Sequence, residues 1–495
     1  MAVAVIPQSS PQSLADYLWH WERTSPNATF VVDDEGVHHT YVDVASATRN
    51  LAAEFARRGL VLGDRVAVIA ENSPRWITAF LAAIAGGFVA VPLGTRLTIE
   101  ELDVQLDHAD PGVIAVDDDD VFVGSRWSDR LHRACDVVPR PPVVDLRAND
   151  AGAAACLTYT SGTTGRPKGV LLSNANLVRA SETYAAIFHS TPSMHTIAAV
   201  PLCHNTGFID QLGHALVAGA SIETHRRFKA DRLAEAVSSG ACTYFIGVPT
   251  MYHRMIDHLA NTPPSERAPW LAFGGAPMPS ETIASLQHHF PRARLANCYG
   301  LSEATSITHV NFVDANSAAT EVGVAVAGTI DRVSMAGELL VRSPTTMLEY
   351  YRDPTASAMK FEDGWLRTGD LASRRDDGAV EVYGRIDDLI NRGGEKVMPL
   401  EVEEVLRRHP AVLDAAVVGL PDREFGAIVV AAVVTRGSAV PADLGELVET
   451  SLAHFKRPAH IVRVEELPSN SNGKVVRSEV RELLVRTLTD LGRRL

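Results

Sequence analysis

The twelve residues Tyr159 to Val170, YTSGTTGRPKGV, place hydroxylated side chains and glycines in one uninterrupted run. Such a run lets successive backbone NH groups and hydroxyls surround a polyphosphate without obstruction by Cβ atoms, while Lys168 supplies positive charge. Thr160, Ser161, Gly162, Thr163, Thr164, Gly165 and Lys168 are therefore the candidate phosphate contacts. The string is not a Walker loop, because that motif ends Gly-Lys-Ser/Thr, whereas here Pro167 precedes Lys168 and Gly169 follows it. Three glycines alone would read equally well as a flexible turn; the full string favours the phosphate reading.

Further strings follow along almost the whole chain: PLCHNTG (Pro201 to Gly207), GVPTMY (Gly247 to Tyr252), FGGAPMP (Phe273 to Pro279), NCYGLSEAT (Asn297 to Thr305), GWLRTGD (Gly364 to Asp370), YGRIDDLINRGGEKVMPLEVE (Tyr383 to Glu403) and PSNSNGK (Pro468 to Lys474). In type and in order they resemble the adenylate-forming superfamily, which includes acyl-CoA synthetases, peptide-synthetase adenylation domains and beetle luciferases. Each string alone is only a hypothesis, but their order is a joint constraint. The stretch from Gly328 to Glu338 is shorter than the matching family segment, and Ala325 and Ala327 stand where prolines are common.

The resemblance implies ATP-dependent activation of a carboxylic acid as an acyl adenylate, with transfer of the acyl group to a thiol. Two anions must meet at the α-phosphate, so the site has to neutralise charge and hold attacking and leaving oxygens in line. By this resemblance Glu303 holds Mg²⁺, and Ser302, where the family more often has Thr, bonds the α-phosphate. Tyr299 gives adenine an aromatic face, with Gly274, Gly275 and Ala276 on the other side and Asn297 at the purine edge. Asp370 accepts from the ribose hydroxyls and Arg385 reaches the same sugar. Lys474 bridges the attacking carboxylate and the α-phosphate. His204 gates the passage between acyl pocket and thiol channel, although a buried structural histidine explains it nearly as well. Thr206, Gly213, Gly275, Cys298, Gly300 and Ser306 line the acyl pocket. Gly393 and Gly394 border the coenzyme A channel, and Asp387 is a hinge.

Coenzyme A is the preferred acceptor, since GGEKVMPLEVE resembles acyl-CoA synthetases more than peptide-synthetase domains and no carrier segment follows. A separate carrier protein's thiol is the alternative, and a luciferase-like oxygenase a more distant one. Polar Thr206 and Ser306, with Cys298 where relatives often carry glycine, fit a short or ring-bearing acid better than a long fatty chain. Cys298 could instead be a small core residue.

The elements that must position these residues read as α/β. Val42 to Arg58 carries Leu51 and Phe55 on one face and stops at Gly59, Arg65 to Ala70 reads as a buried strand, and Ser73-Pro74 opens the next helix. Strand signals recur at Thr196 to Val200 and Cys242 to Val248. The pattern predicts a large N-terminal domain of helix-covered, mostly parallel sheets with a small β-rich subdomain, over residues 1–384. The texture changes at 385–388, after which residues 389–495 read as a smaller α+β domain; the family resemblance implies that 385–388 is a hinge and that this domain is mobile. It carries a helix from Leu400 to His409, with Val402, Val405 and Leu406 inward, and strands at Ala415 to Gly419 and Ile428 to Thr435.

Composition bounds the remaining possibilities. The chain has 495 residues, 46% hydrophobic and 21% charged, as in ordinary globular proteins. With 46 Lys plus Arg against 60 Asp plus Glu, its net charge of −14 disfavours nucleic acid as a partner. The scattered cysteines, Cys135, Cys156, Cys203, Cys242 and Cys298, form no CxxC pair and fit a reducing cytoplasm. MAVAVIPQSSPQS lacks a basic n-region, so no secretory signal is expected. Trp76 to Gly94 is nearly long enough to span a bilayer, but Gly86, Gly87 and Pro92 divide it, so it reads as core. Asp117 to Asp120 lacks ligand spacing and reads as a solvated loop.

Overall fold

The structure, a computed structural model, describes residues 11–117, 125–133, 150–160, 167–259, 262–314, 317–469 and 475–490. Two compact units divide the chain: Met1–Ser317, Gly323–Ile330 and Val341–Leu366 form the first, and Ala318–Val322, Asp331–Leu340 and Arg367–Leu495 the second.

In the first unit the apolar runs Arg65–Ile69, Val89–Pro92 and Val113–Val116 are adjacent parallel strands. Their unbroken hydrophobicity follows from burial on both faces. Ala154–Thr160 joins them in parallel beside Val89–Pro92 and then pairs antiparallel with Lys168–Ser173, whose outer neighbour is Glu349–Tyr350. A second region runs in parallel through Thr29–Val32, Ser221–Thr224, His195–Ala198, Tyr244–Gly247, Trp270–Gly274 and Arg294–Gly300. The chain then reverses into Ile307–Val313.

Helices cover these strands as the pattern requires. Tyr41–Arg57 buries Val44, Leu51 and Phe55. Pro74–Ala85 starts where Ser73 Oγ accepts from the Trp76 NH at 3.2 Å, and its sides are buried all round. That complete burial explains the unbroken apolar stretch, which ends in the strand Val89–Pro92. No helix among the described residues is long and apolar enough to cross a membrane. Asp117 does lie in a bend outside the strands, but it is half-buried and not fully solvated as expected. It follows the strand Val113–Val116, and burial pushes its carboxyl above the usual range. Asp118 to Asp120 and Cys135 lie outside the described residues.

The second unit shows strand periodicity clearly. Val412–Asp422 pairs antiparallel with Gly426–Thr435, which pairs in parallel with His460–Val464. Ala415 and Val417 pack under the helices Pro399–Arg407 and Leu444–Ser451, with Val402, Val405, Leu406 and Val448. Ala416, Val418 and Leu420 pack on the opposite face under Arg477–Asp490, with Val480, Leu484 and Leu488. Successive strand residues point to opposite faces, so a near-continuous apolar run serves two cores at once.

Candidate active site

In the first unit the strand register sets the candidate phosphate contacts. Thr160 and Lys168 are directly opposed across the antiparallel pair. Gly169 beside them packs closely, since a Cβ there would lie 2.9 Å from Leu157 Cδ1. The connection carrying Ser161, Gly162, Thr163, Thr164 and Gly165 lies outside the described residues. The ammonium of Lys168 sits 5.1 Å from the ring centroid of Tyr350, within reach of a cation–π interaction.

The candidate adenine and acyl residues gather at the carboxyl ends of two parallel strands, where open α/β sheets bind ligands. Gly274 is in register with Cys298, and a Cβ at Gly274 would meet the Cys298 carbonyl at 2.5 Å. Gly275 adopts φ +79°, the left-handed region that glycine tolerates, and Ala276 follows it. Asn297 is buried, whereas Tyr299 is half-buried, its ring edge-on to His309 at 5.7 Å. At Gly300 an added Cβ would fall 1.7 Å from the Ser306 carbonyl, so only glycine lets the chain fold back there.

That reversal presents Ser302 and Glu303 on the short turn Ser302–Ala304. Thr305 is held at φ +65° by its hydroxyl, which donates to the Thr345 carbonyl at 2.5 Å. Residues other than glycine enter this region at a cost of about 1 kcal/mol or more, so the turn is held by its surroundings. The Met347 NH donates to the Glu303 carbonyl at 2.8 Å. The Glu303 carboxylate accepts from the Tyr350 hydroxyl at 2.5 Å, and the Lys360 ammonium lies 3.4 Å from the same oxygen. One tyrosine thus joins a carboxylate to two lysines, Lys360 through Glu303 and Lys168 over its ring. The motif reading found Glu303 and Lys168 but missed Tyr350 and Lys360, which stand in LEYYRDPTASAMK with no distinctive spacing.

His204 is half-buried just before the turn Asn205–Gly207, and Thr206 lies within that turn. The six residues Phe208–Gly213 follow as a π-helix, a form that often marks functional sites. Gly213 packs tightly, since a Cβ would come 2.2 Å from Ser181 Oγ. Within the π-helix Asp210 is buried, and the Tyr184 hydroxyl lies 3.3 Å from its neighbour Ser306 Oγ. The Ser306 hydroxyl donates to Asp210 Oδ1 at 2.5 Å. Cys298 is buried close by, its thiol pushed well up by burial and then by the Asp210 charge. Cys298 and Ser306 thus lie near Asp210. Asp210, their common neighbour, was missed, for within GFIDQLGHA it reads as an ordinary polar helix position.

In the second unit Asp370 and Arg385 face each other in cross-strand register, with Arg385 Nη1 3.3 Å from Asp370 Oδ1. Gly369, at φ +80°, leaves room for this guanidinium, since a Cβ would lie 2.9 Å from Arg385 Nη2. Asp387 lies on the turn Ile386–Asp388. Gly393 and Gly394 close the hairpin between Ile390–Arg392 and Glu395–Val397 with φ of +60° and +95°. Lys474 lies outside the described residues; the flanking Ser469 and Val475 form an isolated antiparallel bridge.

Comparison with known proteins gives matches over nearly the whole length. The model of the AMP-binding enzyme family matches residues 18–351, and that of the AMP-binding enzyme C-terminal domain matches residues 401–474. The chain is 31% identical to a feruloyl-CoA synthase of Amycolatopsis sp, over 95% of this chain and 99% of that protein. It is 30% identical to a 2-succinylbenzoate–CoA ligase of Bacillus licheniformis, over 89% and 94% of the two chains. Among solved structures, ATP-bound MatB from Rhodopseudomonas palustris superposes with a TM-score of 0.85 at 27% identity, covering 96% of this chain and 99% of that one.

Proposed function

We proceed from the fact that this chain belongs to the AMP-binding enzyme family, and we propose which of its residues serve each step of its reaction. The protein is an AMP-forming acid–CoA ligase. An oxygen of the substrate carboxylate attacks the α-phosphorus of ATP, the bond to the leaving oxygen breaks, and pyrophosphate departs, leaving an acyl adenylate. The sulfur of coenzyme A, its proton lost, then attacks the acyl carbon and AMP leaves.

The observation that carries the assignment is the grouping of Glu303, Tyr350, Lys360 and Lys168. Two ammonium groups and one oriented carboxylate suit a triphosphate with its countercation. Lys168, together with Thr160 and the hydroxyls and NH groups of residues 161–165, would hold the phosphates. Glu303 fits Mg²⁺, because one hard carboxylate suffices when phosphate oxygens and waters fill the other positions. No group of three or more His, Cys, Asp or Glu that could hold a metal ion occurs among the described residues. When bound, the ion would neutralise charge on the departing pyrophosphate. Ser302 would donate to the α-phosphate, and Lys474 would offset the negative charge growing between attacking carboxylate and phosphorus.

Tyr299, Gly274, Gly275, Ala276 and Asn297 would hold adenine, and Asp370 with Arg385 the ribose. Thr206, Gly213, Cys298, Gly300 and Ser306 would line the acyl pocket, with His204 as its gate. Gly393 and Gly394, lacking side chains, would admit the pantetheine arm of coenzyme A. Residues 1–384 would act as the adenylating domain and 389–495 as the mobile one, turning about Asp387. A cytoplasmic location, where ATP and coenzyme A occur together, suits the four buried free cysteines among the described residues. Acid-dependent ATP–pyrophosphate exchange over a panel of carboxylic acids, followed by mass spectrometry of the thioester, tests the reading. An acyl-CoA product is expected with at least one acid, and exchange that ignores every acid would refute it.

A further inference from the structure

A carboxyl group buried among hydroxyls stands at the centre of the residues assigned to the acyl pocket. Asp210 is 3% exposed. Ser306, from the segment after Gly300, donates to its Oδ1 at 2.5 Å, and the hydroxyl of Tyr184, from the helix Asn174–Ile187, lies 3.3 Å from that same Ser306 oxygen. Burial and neighbouring hydroxyls are what act on it among the described residues, and none is a cation. Burying a carboxyl with neutral partners alone is costly, and such groups are retained mainly where they serve a function. A carboxylate offers about four acceptor positions. With Ser306 as the hydroxyl donating to Oδ1, the carboxyl keeps capacity for a further donor.

We propose that Asp210 is a specificity-determining residue that selects carboxylic acids bearing a hydroxyl group on the acyl portion, by hydrogen-bonding that hydroxyl inside the pocket. This rests on the reading that Thr206, Cys298 and Ser306 line the acyl pocket. A hydroxyl fits better than an ammonium, because it can donate to the carboxylate and accept from the protonated acid. The surrounding aromatic groups of Tyr184 and Tyr244 also desolvate whatever enters, which penalises a full charge more than a dipole.

Burial pushes the Asp210 carboxyl up to about 7, against the opposing pull of the hydroxyl groups around it, Ser306 foremost. The other titratable groups facing it stay neutral there. Burial raises the Tyr184, Tyr244 and Cys298 groups well above their ordinary values and lowers His214 to about 3. As pH rises through about 7, Asp210 therefore passes from acid to carboxylate, the stronger acceptor.

The test compares matched pairs of acids differing by one hydroxyl, with amino-substituted analogues as a third arm. Acid-dependent pyrophosphate exchange gives kcat/KM, and the acid-dependent rise in melting temperature gives binding without turnover. Wild type is expected to favour the hydroxylated member about tenfold, the value of one good hydrogen bond to a charged group, more so above neutral pH than below it. Asp210→Leu should abolish the preference, and Asp210→Asn, which keeps the shape if the leucine variant fails to fold, should cut it several-fold and remove its pH dependence. A wild-type ratio near one, a preference for the amino-substituted acid, or a ratio that both variants leave unmoved would overturn the role of Asp210. Absence of exchange with every acid while the binding preference persists would instead overturn the ligase reading alone.

Discussion

Replacing Tyr350 with phenylalanine removes one oxygen atom from the centre of the proposed phosphate site and little else. The ring that lies 5.1 Å from the Lys168 ammonium remains, and the volume of a side chain only 4% exposed is nearly unchanged. What disappears is the 2.5 Å hydrogen bond to Glu303, whose side chain is 12% exposed. Hydrogen bonds to charged groups are worth about 1.5–3 kcal/mol. The Lys360 ammonium at 3.4 Å stays on the same carboxylate oxygen, which places the loss in the lower half of that range, about 1.5–2 kcal/mol, or roughly ten- to thirtyfold. Glu303 serves the metal and nucleotide in the proposed mechanism, so the loss should fall on kcat/KM for ATP and on the Mg²⁺ concentration for half-maximal rate. The KM for the acid should move by less than about twofold. The assay is pyrophosphate exchange with ATP and Mg²⁺ each titrated at saturating acid, with melting temperature as a check on folding. ATP and Mg²⁺ dependences equal to wild type would show that the Tyr350 hydroxyl does not position Glu303 for catalysis.

The other expectations concern the second unit. Lys474→Ala should slow adenylate formation by about 10²-fold or more, as expected when one transition-state charge partner is lost; exchange near the wild-type rate refutes the role drawn from its motif. Asp387→Pro fixes φ near −65° in the turn Ile386–Asp388 and should spare exchange while removing most thioester formation, so equal loss of both steps counts against a hinge there. Arg477 donates to the buried Glu403 at 2.5 Å and lies 3.2 Å from Asp388. Arg477→Met should leave both carboxylates short of their countercharge and cost about 3 kcal/mol, read as lost hydrogen-exchange protection in the strand Val412–Asp422; unchanged protection there refutes it.

Sequence alone determined the elements whose signals are local. The cap at Ser73, the proline after it, and the apolar runs that became parallel strands were legible because each depends on neighbours a few residues away. The ordered strings were legible too, and they named Glu303, Lys168, Asp370 and Arg385 before any geometry was known. The Asp370 and Arg385 pair then proved to be opposed across two strands. Other relationships depended on pairing between distant segments. Tyr350 meets Glu303 because the short strand Glu349–Tyr350 pairs with Lys168–Ser173, and nothing within LEYYRDP specifies that partner. Asp117, in the bend after the strand Val113–Val116, is half-buried, although its run of carboxylates suggested solvent. Asp210 shows the difference most plainly. In sequence it is one polar residue in a helical stretch; its hydroxyl partner is there because the chain reverses at Gly300 and brings Ser306 onto the π-helix. Local propensity sets what a segment becomes, whereas the environment of a side chain is set by whatever the rest of the chain packs against it, and a carboxyl's chemistry follows from that environment.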